Sequence, residues 1–244
     1  MKQGIFEIQE NISLTETVYK MILRGDTSAI TAPGQFVNIL LDGFYLRRPI
    51  SVCDLQGDAL TIVYKIAGKG TEKMSRMKEG KLDILTGLGN GYDLTDSGDH
   101  PVLLGGGVGV PPMYYLCRKL LQQGKAVTVL LGFNTAAEVF YEEMFRSLGA
   151  EVKVATVDGS YGHKGFVTDL LQDLHYTHFY TCGPEPMLKA VYRATNTSGQ
   201  FSFEKRMGCG FGACMGCSCK VITGYKRICK EGPVLRKEEI LWED

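Results

Sequence analysis

PVLLGGGVGVPPMYYLC, Pro101 to Cys117, reads as a buried strand, a glycine-rich turn and the start of a helix. The run carries no charge, yet three consecutive glycines and a Pro-Pro pair make it too short and too broken to span a bilayer. Strand and helix keep alternating after it. PPMYYLCRKLLQQG has helical period, AVTVLLGF is a strand, and a helix is expected around AEVFYEEMFRSLG. Strand EVKVATVDG follows, then a helix starting near Thr168 (VTDLLQDL), strand HFYTCG and helix PEPMLKAVYRAT. This rhythm means βαβ units and a parallel sheet, so residues 98–200 are expected to form an α/β domain.

The flanks have a different character. In residues 1–97, IFEIQ, TVYKMIL, GQFVNILL, RRPISVCD, ALTIVYKIAG and KLDILTG alternate or run apolar between Gly, Pro or Asp turns. That spacing predicts an all-β barrel or sandwich, interrupted by one short helix at TEKMSRMKEG. Residues 201–244 lose the strand–helix rhythm and carry a cysteine cluster. The chain is therefore expected to be multidomain, with boundaries near 97 and 200.

Composition narrows the function. The apolar fraction is 44%, and 27 basic residues balance 27 acidic ones. Balanced charge offers no long-range attraction to nucleic acid or an anionic membrane surface. MKQGIFEIQEN lacks the apolar core of a secretory signal, so a cytoplasmic protein is expected. Five of the eight cysteines fall between Cys209 and Cys229, and in a reducing compartment such clustering favours metal over disulfide.

The cysteine spacing is specific. Zinc modules usually present two C-x2-4-C knuckles about a dozen or more residues apart. Here Cys209-x4-Cys214-x2-Cys217 is followed by Cys229, the spacing of a plant-type two-iron cluster. Gly208, Gly210, Gly212, Ala213 and Gly216 let backbone wrap the inorganic core and donate N–H groups to sulfur. Zinc and redox-active disulfides are the other chemistries these thiols support. Cys219, at the start of an apparent strand, is expected to be a bland thiol.

The glycines Gly105, Gly106, Gly107 and Gly109 let phosphate oxygens approach backbone N–H groups at a helix start. The pattern is incomplete for an ordinary dinucleotide fingerprint, because Val110 stands where the third glycine belongs and LLGFNT lacks the usual acid. No Lys or Arg occurs between Ala126 and Phe145, which favours NAD over NADP. In TCGPEPML, Cys182 ends a strand at the carboxyl edge of the sheet, where open α/β folds place ligands. Cys53 and Cys117 are expected in the core, the four histidines in solvated turns, and Trp242 either on a partner or against its own module.

Together, Arg48-Pro49-Ile50-Ser51, Gly68-Lys69-Gly70-Thr71, GGGVG and CGPEPM resemble the ferredoxin-reductase-like flavoproteins. GLGNGYD (Gly87 to Asp93) and FEKRMGCGFGACMGCSC narrow the resemblance to the electron-transfer subunits of NAD-dependent (type B) dihydroorotate dehydrogenase. It implies a Greek-key antiparallel β-barrel with FAD, an α/β domain for NAD, and a small C-terminal [2Fe-2S] module held by Cys209, Cys214, Cys217 and Cys229. It further implies FAD contacts from Arg48, Pro49, Ile50, Ser51, Val63, Tyr64, Lys65, Gly70 and Thr71, and NAD contacts from the GGGVG loop with Gly183 and Pro184. Cys182 would lie near the nicotinamide–flavin contact. An FMN-containing dihydroorotate-oxidising subunit would be the partner, two of each forming a heterotetramer in pyrimidine biosynthesis. Ferredoxin:NAD(P) reductase and sulfhydrogenase subunits are the neighbouring alternative.

Overall fold

The computed structural model describes residues 1–172 and 174–242. Strands β1 (Lys2–Ser13), β2 (Val18–Arg24), β3 (Phe36–Leu40), β4 (Arg48–Gln56), β5 (Ala59–Lys65) and β6 (Lys81–Leu88) form a closed barrel in the order β1-β2-β5-β4-β3-β6. All pairings are antiparallel. Closure removes both sheet edges, and alternation sends Phe6, Met21, Val37, Ile39, Ile62 and Tyr64 to one interior. Helix α1 (Lys69–Ser75) caps the passage from β5 to β6.

A seven-stranded sheet follows. Its strands are β7 (Pro101–Gly106), β8 (Thr128–Phe133), β9 (Glu151–Thr156), β10 (His163–Lys164), β11 (His178–Cys182), β12 (Gly199–Ser202) and β15 (Val234–Arg236), in the order β10-β9-β8-β7-β11-β12-β15. Only β15 runs antiparallel. Helices α2 (Val110–Gln122), α3 (Glu142–Ser147) and α4 (Glu185–Ala194) cover it, while β13 (Ser218–Val221) and β14 (Gly224–Arg227) form a separate hairpin. Among the described residues no helix is long and apolar enough to cross a membrane.

Several local expectations need correcting. The helix expected from Ala137 starts only at Glu142, because Phe140 and Tyr141 are pulled inward against Phe133 and Tyr114, at ring separations of 5.4 and 5.3 Å. Tyr141 adopts a left-handed φ of 68° to allow it. Within VTDLLQDL, Val167–Leu171 forms a 3₁₀ turn whose entry is fixed by the Phe166 N–H donating to Asp169 Oδ2, and Asp173 lies outside the described residues. His178 is not solvated. It opens a strand between two others, is 3% exposed, and burial lowers its pKa, so it stays neutral. Cys53 and Cys117 are buried as expected, and Trp242 packs back on Tyr192, Phe201 and Phe203.

Barrel and sheet are joined by polar and apolar contacts together. Helix α2 crosses β4, where Arg118 reaches Asp54 at 2.5 Å and the Leu55 carbonyl at 2.6 Å. The Cys53 thiol donates to Tyr141 Oη at 3.3 Å. A carboxylate as buried as Asp54 is tolerable because a guanidinium and its planar donors face it.

Candidate functional site

Parallel pairing sets Cys182 beside Gly105, so the loops after β7 and β11 leave the same edge of the sheet together. Their glycines are spaces filled by neighbouring backbone and side chains. A Cβ on Gly109 would collide with the Cys182 carbonyl, one on Gly106 with Met187 Sδ, and one on Gly183 would lie 2.7 Å from that sulfur. Gly107 is different: its φ is +52° and no neighbour stands near. The crest of the turn is therefore open where the base is packed. Pro184 stands exposed at the cap of α4, beside Gly183.

Cys182 is half-buried, and loss of water pushes its thiol up to about 12 despite a hydrogen bond with Ser202. It is a neutral thiol at physiological pH, suited to contact and polarity and not to proton transfer. Tyr92 donates to the neighbouring Thr181 carbonyl at 3.1 Å and is itself buried.

On the barrel, Arg48 and Gly70 come together. The guanidinium lies where a Gly70 Cβ would be, and also 4.6 Å above the Phe44 ring. Thr71 Oγ1 accepts from the Ala67 N–H at 2.9 Å and donates to the Gly68 carbonyl at 3.1 Å, fixing the entry to α1. The first N–H groups of that helix lack intrahelical acceptors, and the Arg48 guanidinium, which donates to the Leu46 carbonyl, lies against the same turn at Gly70. Pro49, Ile50 and Ser51 continue along β4, Pro49 exposed and the other two half-buried. Val63 and Lys65 share one face of β5, whereas the Tyr64 side chain enters the barrel, stacks near Tyr19 and donates to Asn11 Oδ1 at 3.0 Å.

The cluster cysteines stand as two pairs. Cys209 Sγ accepts from the N–H groups of Ala213 (3.2 Å) and Cys214 (3.4 Å), and Cys217 Sγ from that of Cys229 (3.4 Å). The first pair is half-buried to exposed; the second is buried, at 3% and 2%. Burial resists ionisation of Cys209, but donors from Phe211, Cys214 and Ala213 outweigh it and bring the thiol down to about 6. Burial and the Cys217 sulfur push Cys229 up to about 12. Among the described residues no three potential ligands converge on one metal point. Cys219 belongs to neither pair; it lies on β13 opposite Lys226.

The loop is braced from outside. Arg227 donates to the Gly212 carbonyl at 2.6 Å and is clamped by Glu231. Asn38 on β3 donates to the Cys209 carbonyl at 3.2 Å. Gly87–Asp93 works as a fastener: Asn90 donates to the Val234 carbonyl at 2.8 Å and accepts from its N–H at 3.1 Å, and Gln200 bonds both backbone groups of Asp93. Asn38 and Arg47 were not singled out by motif. Their role depends on strand register, which places Asn38 opposite Pro49. Arg47, beside Arg48, bonds the Asn38 and Asp83 carbonyls and the Asp83 carboxylate, so the two adjacent arginines do different work.

Residues 204–241 match the family described as the iron-sulfur cluster binding domain of dihydroorotate dehydrogenase B, and residues 103–193 match the oxidoreductase NAD-binding domain. The chain is 41% identical over 256 residues to a Shouchella clausii protein named dihydroorotate dehydrogenase B (NAD(+)), electron transfer subunit, covering 98% of each. A Fusobacterium nucleatum protein of the same name is 42% identical over 250 residues, covering 96% of each. Among solved structures, that of an NADH-dependent reduced ferredoxin-NADP oxidoreductase is similar over 97% of this chain and 90% of its own, at 28% identity and a TM-score of 0.87. A ferredoxin NADP+ reductase from Neisseria gonorrhoeae with bound FAD and NADP shares the fold at 19% identity and a TM-score of 0.68, over 80% of this chain and 90% of its own.

Proposed function

Because the chain belongs to the family of dihydroorotate dehydrogenase B electron transfer subunits, we propose that it carries electrons from a dihydroorotate-oxidising partner to NAD+. The partner is an FMN-containing catalytic subunit, two copies of each forming a cytoplasmic heterotetramer that serves pyrimidine synthesis. When bound, the [2Fe-2S] cluster passes single electrons and FAD exchanges them singly or as the hydride pair, giving the order partner FMN, cluster, FAD, NAD+.

The residues fit these groups. Arg48 would hold the FAD pyrophosphate with its planar donors, aided by the N–H groups around Gly70 and Thr71, and Ser51 would add a hydroxyl. Ile50, Val63 and Lys65 would flank the flavin, with Tyr64 supporting them from inside the barrel. The open crest at Gly107, with Gly105, Gly106, Gly109, Gly183 and Pro184, would receive the dinucleotide phosphates, and Cys182 would touch the nicotinamide edge. Two sulfur pairs suit two irons, Cys209 with Cys214 and Cys217 with Cys229. The division into a barrel (1–97), a dinucleotide domain (98–200) and a cluster module (201–244) assigns one group to each.

The observation that carries the reading is the bond from β3 to the cluster loop, because β3 is the neighbour of the strand bearing Arg48 to Ser51. Anaerobic titration of the assembled protein with NADH tests it. Bleaching of flavin and cluster bands, and orotate reduction on adding the partner, are expected; retention of neither chromophore would overturn it. In Cys182→Ala, hydride transfer from NADH to flavin should slow about tenfold with FAD still bound. Unchanged kinetics would remove Cys182 from the site.

A further inference from the structure

We propose that Asn38 is a positioning residue that sets the cluster loop against the flavin-bearing strand, and through it governs cluster retention and electron exchange. The inference rests on the function proposed above and names a residue outside every motif that suggested it.

The geometry allows one assignment of the amide. A backbone carbonyl only accepts, so the group 3.2 Å from the Cys209 oxygen is the Asn38 Nδ2 donor. That leaves Oδ1 on the other side, buried and without a hydrogen-bond partner among the described residues, in a side chain only 1% exposed. Leaving such an acceptor unmet destabilises the fold, because the group gives up its bond to water and gains none in return. A residue chosen for packing alone would be apolar here, like Phe36, two residues earlier on the same face of the strand. The polar group is explained by what its other end holds.

What it holds is a cluster ligand. Cys209 is the first of the four sulfurs, and a trans peptide is planar. Pinning its carbonyl toward β3 therefore turns the Gly210 N–H to the opposite side and fixes the plane from which the cysteine side chain leaves. Gly210 is buried at φ +77°, and any Cβ there would collide with Asn38 Nδ2. The glycine is required both by its backbone angle and by the closeness of the amide. On the barrel side, Asn38 lies opposite Pro49, with Ile39 opposite Arg48 and Val37 opposite Ile50. Its own carbonyl accepts from Arg47, which is tied in turn to Asp83 on β6. The tie from cluster ligand to flavin strand thus consists of one side chain and one strand pairing.

Groups that orient a metal ligand from outside typically affect affinity or activity about ten- to a hundredfold. The test is Asn38→Leu in the FAD- and cluster-loaded protein. Leu fills a similar volume and removes the unmet acceptor, so thermal stability and FAD content should hold. Iron release to a chelator should become about tenfold faster, and cluster reduction after NADH should slow by a similar factor, while flavin reduction by NADH stays as in wild type. Gly210→Ala, which displaces the amide from the cluster side, should reproduce these changes and serves if the barrel variant does not fold. Wild-type iron release and cluster reduction in a folded variant would overturn the proposal. So would a loss of thermal stability and FAD in step with iron, because that marks a merely structural residue. If wild-type protein itself bound neither group, the underlying function would fail instead, a different and recognisable result.

Discussion

The two glycine-rich loops are built on opposite plans. At Gly105, Gly106 and Gly109 the glycines are places where the protein touches itself: Val110, Met187 and the Cys182 carbonyl occupy the space a side chain would take. That loop is shaped before any dinucleotide arrives. Around Cys209–Cys217 the sulfurs are met by backbone N–H groups, and the loop is held at its rim by Asn38 and Arg227. Its interior is a set of thiols, which repel as they ionise and which a metal would gather. One loop is complete in protein; the other is completed by its cargo.

The contrast can be broken most severely at the buried sulfur pair. Cys217→Ser should abolish iron binding, and hydrogen exchange should rise across residues 204–241 while strands β7, β8 and β9 keep their protection. Exchange spreading equally through the sheet would mean the two loops are not separately built. Gly109→Ala should do the reverse. Its added methyl overpacks the loop base at a cost of about 1–3 kcal/mol, lowering the melting temperature and weakening NADH binding with iron content unchanged.

The smallest expected effect concerns the rim. Arg227 beside Glu231 holds that carboxylate at about 2, below its ordinary 4.5. A depressed carboxylate contributes stability that is full above about 4.5 and fades as pH falls toward about 2. A third of the side chain remains exposed, so the contribution is under about 1 kcal/mol. Glu231→Gln should therefore melt slightly below wild type near neutrality, with the difference vanishing in acid. A gap that persists at low pH would place the effect elsewhere than in this ion pair.

What the sequence disclosed depended on how local the cause was. Alternation made all six barrel strands legible, and the cysteine spacing marked the cluster, because each needs only near neighbours. The helix from Ala137 failed where Phe140 and Tyr141 found partners on α2 and β8, and His178 was hidden by strands 77 and 22 residues away, around Pro101 and Gln200. Arg47 and Arg48 are adjacent and chemically identical, yet one is spent on Asp83 and the other lies over Gly70; only the register tells them apart. Asn38 was illegible for the same reason.

Strand β15 has a consequence for how the molecule works. The chain leaves the large sheet after Ser202, builds the cysteine loop, and re-enters beside the strand it left, with Ser202 opposite Val234. The cysteine loop is thus moored at both ends to one edge of the sheet, so its two ends cannot separate unless the β12–β15 ladder opens.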